Sequence, residues 1–231
     1  ILALKKMGYE TYACAMANDG PGAEAADHFA EINILDVESI IDYIKKNNIS
    51  SVYSVGSDLA MPVACKISGQ LKLPHFVSEE TAKICNNKDM MRKTLGNDFN
   101  GNVKFQVINS LDEKVNLDYP FILKPTDSQG QRGVYLINSI DEYKKKFEEV
   151  IDYSRSGTVI VEQYISGPEL SVNGYIVDGK IKYLIPSDRV TWPQFTGLIH
   201  KHVVPTTNLS DKATGELFNV MQAACQKLGI N

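Results

Sequence analysis

The chain lacks the cysteine patterns that mark a metal site or a redox pair. Its four cysteines, Cys14, Cys65, Cys85 and Cys225, form neither a C-x-x-C pair nor a metal-ligand spacing. They read as buried thiols in a reducing cytoplasm, and no base partner nominates one of them as a nucleophile. No apolar run approaches the roughly 20 residues of a membrane span. No signal-peptide pattern opens the chain. Internal repeats and low-complexity tracts are absent. The net charge of −4 weighs against a nucleic-acid-binding surface, while leaving room for a local basic pocket.

What is present is an ordinary globular composition. With 231 residues, 43% hydrophobic and 23% charged, the chain is long enough for two compact units. Residues 1 to about 85 read as alternating strands and helices. Strands are expected at 10–15, 30–34 and 51–55, with a short extended piece at 73–77. Asp36 caps a helix over 37–46, a helix over 59–68 is stopped by Gly69, and Ser78 opens another. This alternation implies a parallel sheet with helices on both faces. From 87 onward the pattern changes. A linking helix over 87–96 precedes strands at 103–108, 121–124 and 158–163. Ser139-Ile140-Asp141-Glu142 is a capping box for a helix to about 152. Asp178-Gly179 joins two strands as a hairpin, and Ser210 caps a last helix. The shift places a domain boundary in roughly residues 85–100. The chain opens in what reads as the end of a helix closed by Gly8 and stops at Gly229-Ile230-Asn231, so both ends read as cut.

One segment carries chemistry most clearly. Phe121-Ile122-Leu123 delivers Lys124 to a loop with Gly130 and Gly133, and a second apolar run follows. Glycines let backbone N–H groups approach phosphate oxygens, and Lys124 and Arg132 add positive charge. A hairpin turn with a solvated lysine is the ordinary alternative. Downstream, Val159-Ile160-Val161 ends in Glu162, and Glu169 follows beyond a Ser-Gly-Pro bend. A strand breaking into a hinge exposes a backbone donor and acceptor, and a carboxylate can accept from two hydroxyls at once. Lys88 opens the linking helix, with Arg92 one turn on as a weaker candidate. Ser187-Asp188-Arg189 and His200-Lys201-His202 form a further group. Alternation puts both histidines on one strand face, where two ligands alone make a weak metal site. Ser57 and Asp58 follow a strand, and read best as turn and N-cap residues.

The two segments around Lys124 and Glu162, in this order and separation, resemble the nucleotide site of the ATP-grasp superfamily, nearest to its carbamoyl-phosphate synthase and biotin carboxylase branch. The resemblance implies an α/β and α+β chain. A Rossmann-like pre-ATP-grasp domain would occupy 1–86, and a partial ATP-grasp fold 87–231, with an A subdomain to about 163 and a B subdomain from about 164. It implies ATP as cofactor. Lys88, Lys124, Gly130 and Gly133 would hold phosphates, Glu162 to Ile165 the adenine, and Glu169 the ribose. Arg189 and His202 would line the acceptor side as catalytic candidates. Magnesium ligands are expected beyond residue 231, so no metal ligand is assigned within the chain.

The implied activity is ATP-dependent carboxylate–amine ligation through an acyl phosphate. The partners would be a small-molecule carboxylate and an amine nucleophile, with no nucleic acid, no membrane and a homodimer left open. The alternatives are carbamoyl-phosphate synthase-like or biotin carboxylase-like activity on bicarbonate, a non-catalytic ATP-binding module, and a dinucleotide-dependent oxidoreductase. The chain has no Ala-Met-Lys-Met biotinylation signature and no glutaminase domain, which favours a stand-alone ligase. The visible sequence has no G-x-G-x-x-G, although the absent first strand is where one would lie.

Overall fold

The structure is a computed structural model that describes residues 1–54, 56–195 and 197–231. It divides into two compact units, Ile1–Ala82 and Lys83–Asn231.

In the first unit α1 (Leu2–Lys6) leads into β1 (Tyr12–Ala15). After α2 (Pro21–Ala25) comes β2 (His28–Glu31), paired parallel to β1 in a two-stranded sheet. The 12 and 28 ends are tied by Asp27, whose Oδ2 accepts from the Thr11 N–H at 2.9 Å and from its hydroxyl at 2.8 Å. Asp36 caps α3 (Val37–Lys46), accepting from the Ser39 N–H at 3.1 Å. Ile40, Ile41 and Ile44 recur at helical spacing, and all three are buried with Ile67 of α4 (Ala60–Leu71). Each such side chain contributes roughly 1.5–3 kcal/mol on burial.

Three expectations for this unit need correction. Residues 51–54 form no strand, and Val55 lies outside the described residues. The strand expected at 30–34 lies instead at His28–Glu31. Gly69 does not stop α4: the helix runs on to Leu71. It ends because Lys72 enters the left-handed region at φ +56 and the Leu73 N–H closes back on the Ser68 carbonyl at 2.8 Å.

In the second unit α5 (Glu79–Asn86), which spans the division, starts at Ser78, whose hydroxyl accepts from the Thr81 N–H at 3.0 Å. After it come α6 (Lys88–Leu95), β3 (Phe105–Ile108), β4 (Phe121–Pro125), β5 (Tyr135–Ile137), α7 (Ile140–Asp152) and β6 (Val159–Gln163). The four strands make an antiparallel sheet in the order β3-β6-β4-β5. Helix α7 lays Tyr143, Phe147 and Val150 against Ile108, Phe121, Leu123, Val159 and Val161, all buried. Ser139 caps α7 as expected. Glu142, however, reaches the Asn138 N–H at 2.7 Å, one residue before the cap.

β7 (Leu170–Val177), β8 (Lys180–Thr191) and β9 (Ile199–Val203) form a second antiparallel sheet. Asp178 at φ +52 and Gly179 at φ +68 make the β7–β8 turn, as the dipeptide predicts. β8 extends past Ile185, so Ser187, Asp188 and Arg189 lie within a strand. α8 (Asp211–Leu228) is tied to this sheet by Gln222, whose Oε1 accepts from the Ile181 N–H at 3.0 Å and whose Nε2 donates to the Gly179 carbonyl at 2.8 Å.

Candidate functional site

β6 lies between β3 and β4, so the side chain of Glu162 is carried by an interior strand and is only 5% exposed. A carboxylate in that place needs cations. It has two. Lys124, on the neighbouring β4, donates from Nζ to Oε2 at 2.7 Å. Arg92, on α6, donates from Nε to Oε1 at 3.0 Å and from Nη2 to Oε2 at 3.2 Å, the fork geometry of an arginine–carboxylate pair. The third guanidinium nitrogen donates to Asn102 Oδ1 at 3.1 Å. The Asn102 amide in turn donates to the carbonyls of Arg92 and Gly96 at 2.9 Å each, closing the end of α6. Burial pushes the Glu162 carboxyl up, but the Arg92 hydrogen bonds and the Lys124 and Arg92 charges outweigh it and hold the group below the usual carboxylate range.

Lys88 approaches the glycine loop. Its N–H donates to the Thr126 carbonyl at 3.0 Å and its Nζ to the Ser128 carbonyl at 2.7 Å. Burial lowers its ammonium pKa, and Lys124 lowers it further, while Asp127 and Glu162 oppose the shift. Helix α6 thus presents Lys88 to the loop and Arg92 to Glu162, one helical turn apart.

The loop itself is anchored at its base. Thr126 is buried, and its Oγ1 lies 2.7 Å from Thr158 Oγ1 and 3.0 Å from Ser156 Oγ. Asp127 accepts from the N–H groups of Arg155 and Ser156, each at 3.0 Å, and from the Ser154 hydroxyl at 3.1 Å. Gly130 and Gly133 both adopt positive φ, at +67 and +70. Gly133 is also sterically required: a Cβ there would meet the Tyr153 ring at 2.8 Å and Pro125 Cδ at 3.2 Å. Near the tip, Gln129 Nε2 is a buried donor that finds no acceptor. Gln131 lies against Gly197, its Oε1 2.6 Å from where a Cβ would stand.

The remaining candidates pair with one another. Arg189 donates from Nη1 to the Glu169 carboxylate and from Nη2 to the Gly197 carbonyl, and its N–H donates to the Glu169 carbonyl at 2.9 Å. Glu169 is half exposed, and Ile165 is 62% exposed beyond the end of β6. His202 Nδ1 lies 3.2 Å from the buried Ser187 hydroxyl. The expected pairing of His200 with His202 on one face is corrected. Lys201 pairs with Val190 and Ile199 with Thr191, so the register skips His200, whose ring packs 4.1 Å from that of Trp192. Among the described residues, no group of three or more His, Cys, Asp or Glu side chains could hold a metal ion. Ser57 accepts from the Ala60 N–H at 3.2 Å, in keeping with its N-cap reading. In the first unit a cavity of about 310 Å³ lined by Tyr12, Cys14, Ile40, Tyr43 and Ile67 contains none of the candidate site residues.

Sequence reasoning missed three features. Arg92 serves Glu162, the carboxylate of Glu162 is committed to two cations, and the 154–158 turn anchors the loop. Only the last had a local signal, the polar run Ser154-Arg155-Ser156-Gly157-Thr158 ahead of a strand.

Residues 117–231 match a family model described as ATP-grasp domain. The ATP-grasp enzyme fsqD of Aspergillus fumigatus is 31% identical over 118 residues, covering 48% of this chain and 20% of that protein. The formate-dependent phosphoribosylglycinamide formyltransferase of Prochlorococcus marinus is 25% identical over 171 residues, covering 71% of this chain and 44% of that protein. The chain therefore spans less than half the length of these two curated relatives. Among solved structures, the L-amino acid ligase from Bacillus licheniformis superposes with a TM-score of 0.80 at 18% identity, over 98% of this chain and 56% of that one. An N5-carboxyaminoimidazole ribonucleotide synthetase in complex with ADP gives 0.80 at 15% identity, over 99% and 59%. The mixed α/β fold is that of these structures.

Proposed function

Since the chain belongs to the ATP-grasp superfamily through its domain at residues 117–231, we propose that its second unit binds ATP and that the whole protein is an ATP-dependent carboxylate–amine ligase. The observation that carries the reading is Lys88 reaching the Ser128 carbonyl of the glycine loop, with Lys124 close enough for its charge to act on Lys88 and itself held by a buried carboxylate. The residues fit a polyphosphate. The ammonium groups of Lys88 and Lys124 and the guanidinium groups of Arg92 and Arg155 outnumber the two carboxylates there, Glu162 and Asp127, and the unpartnered Gln129 amide is a buried donor that an anionic oxygen would satisfy. Gly130 and Gly133 would let the loop backbone close on the phosphates, while the strand end from Glu162 to Ile165 would take the adenine.

Glu169 would accept from the ribose hydroxyls, with Arg189 fixing its rotamer. Arg189 and His202 would face the carboxylate acceptor, which ATP would convert to an acyl phosphate for an amine to displace. Charge neutralisation and alignment are the chain's part of that catalysis, and no protein nucleophile is needed. Among the described residues no group of three or more His, Cys, Asp or Glu side chains gathers, and no step is assigned to a metal held by them. A solved biotin carboxylase domain with MgADP, at 15% identity, supports magnesium for the whole protein.

The first unit is read as a pre-ATP-grasp domain of Rossmann-like type, supported by its parallel β1–β2 pair. Residues from about 87 to 163 and from about 164 onward are read as the A and B subdomains, matching the two sheets. A cytoplasmic setting is consistent with four free cysteines, and no helix among the described residues is long and apolar enough to cross a membrane. A homodimer is the assembly to test. The reaction is tested by ADP release from ATP by the whole protein across a panel of carboxylates and amines. ADP formation that needs both partners supports ligation. ATP binding without turnover on any pair would favour a non-catalytic nucleotide module.

A further inference from the structure

We propose that Arg92 is a positioning residue of the nucleotide site, one that keeps Lys124 electrically available to phosphate by sharing Glu162 with it. The inference rests on the nucleotide reading above.

Glu162 and Lys124 alone would be a closed pair of zero net charge, a poor partner for an anion. Arg92 changes the balance: two cations face one carboxylate, and the group keeps one positive charge. Lys88 adds another nearby, close enough that its ammonium feels both Lys124 and Glu162. Arg92 is suited to this role and unsuited to touching phosphate. Its Nε and Nη2 are on the two oxygens of Glu162, and its Nη1 is on Asn102. Asn102 also holds the α6 end that carries Arg92. The side chain is 17% exposed. A guanidinium locked this way has a fixed fork that a lysine cannot reproduce. Arg92 therefore acts through Glu162 on Lys124, and its influence falls on the phosphates rather than on the nucleoside.

Calorimetric titration with adenosine, AMP, ADP and ATP separates this role from a merely structural one. In Arg92→Met, ATP affinity is expected to fall about tenfold, as loss of one nearby unit charge implies, while adenosine affinity stays within about twofold. Arg92→Lys, which retains the charge without the fork, is expected to recover most of the ATP affinity and to fold where the Met variant does not. Adding Glu162→Gln to Arg92→Met frees Lys124 and is expected to restore ATP affinity above that of the single variant, a non-additivity that simple damage would not give. Unchanged ATP binding in Arg92→Met, or an equal loss for adenosine and ATP, would overturn the inference while leaving the nucleotide reading intact. A wild-type chain that binds none of the four would overturn the nucleotide reading itself, and the inference with it.

Discussion

Replacing Glu162 by glutamine is a severe isosteric change. The shape is kept and one charge is removed. The carboxylate accepts three charge-assisted hydrogen bonds, at 2.7, 3.0 and 3.2 Å. At an effective dielectric of about 20, each of its two ion pairs is worth about 4 kcal/mol before desolvation. Desolvation consumes much of that in the folded protein. In the variant, however, Lys124 and Arg92 remain in place, 18% and 17% exposed, with no counter-charge. Breaking a buried pair in this way costs about 3–5 kcal/mol, against a total of about 5–15 kcal/mol for a whole domain.

Urea unfolding followed through Trp192, the single tryptophan of the chain and a member of the second unit, reads this cost. With a slope of about 2–3 kcal/mol per molar, the midpoint should fall by about 1 M or more. Acid titration supplies a second readout. The Glu162 carboxyl titrates below its ordinary range in the folded state, so its contribution is complete above the unfolded value and is lost as pH falls through the folded one. The Gln variant should therefore show a flatter acid limb than the wild type. A midpoint within about 0.3 M of wild type, with an unchanged acid limb, would refute the claim that this carboxylate anchors the site.

Further outcomes follow from the same physics. Asp188 is buried in β8 and accepts from the Thr206 hydroxyl and from both the N–H and hydroxyl of Thr207, which hold its carboxyl well below the usual range. Its stabilisation is present above the ordinary carboxylate pKa and lost as pH falls below it, so Asp188→Asn should weaken the acid dependence of the Trp192 fluorescence transition. Gly133→Ala should cost more than Gly130→Ala: both need positive φ, but only Gly133 faces Tyr153 and Pro125. Circular-dichroism melting should place the first about 1–3 kcal/mol below the second. Tyr143→Phe removes a buried hydroxyl that has no hydrogen-bond partner, so thermal unfolding should show no loss of stability, or a gain of about 1 kcal/mol.

Much of the secondary structure was legible because its signals are local. Asp36, Ser78, Ser139 and Ser210 announce four helices, and each accepts the expected N–H at its helix start. The Asp178-Gly179 turn is equally self-contained. Gly69 misled because a helix tolerates an exposed glycine at a cost of only about 1 kcal/mol, and the stop was set instead by the left-handed Lys72. The strand expected from 51 depended on partners supplied by the rest of a sheet, which no local pattern encodes. The site divides in the same way. Lys124 and its glycine loop could be read from one segment, and Glu162 from the next. The link from Arg92 to Glu162 spans 70 residues, and Asn102 looks like any loop asparagine. Such a network is assembled by the β3-β6-β4 pairing and becomes visible only when the strands are side by side.

The most direct test of the central claim is calorimetric titration of the chain with ATP, comparing wild type with Lys124→Ala and Glu169→Ala. The account predicts saturable binding that both substitutions weaken, Lys124→Ala through the phosphates and Glu169→Ala through the ribose. Wild-type binding that neither substitution alters would contradict it.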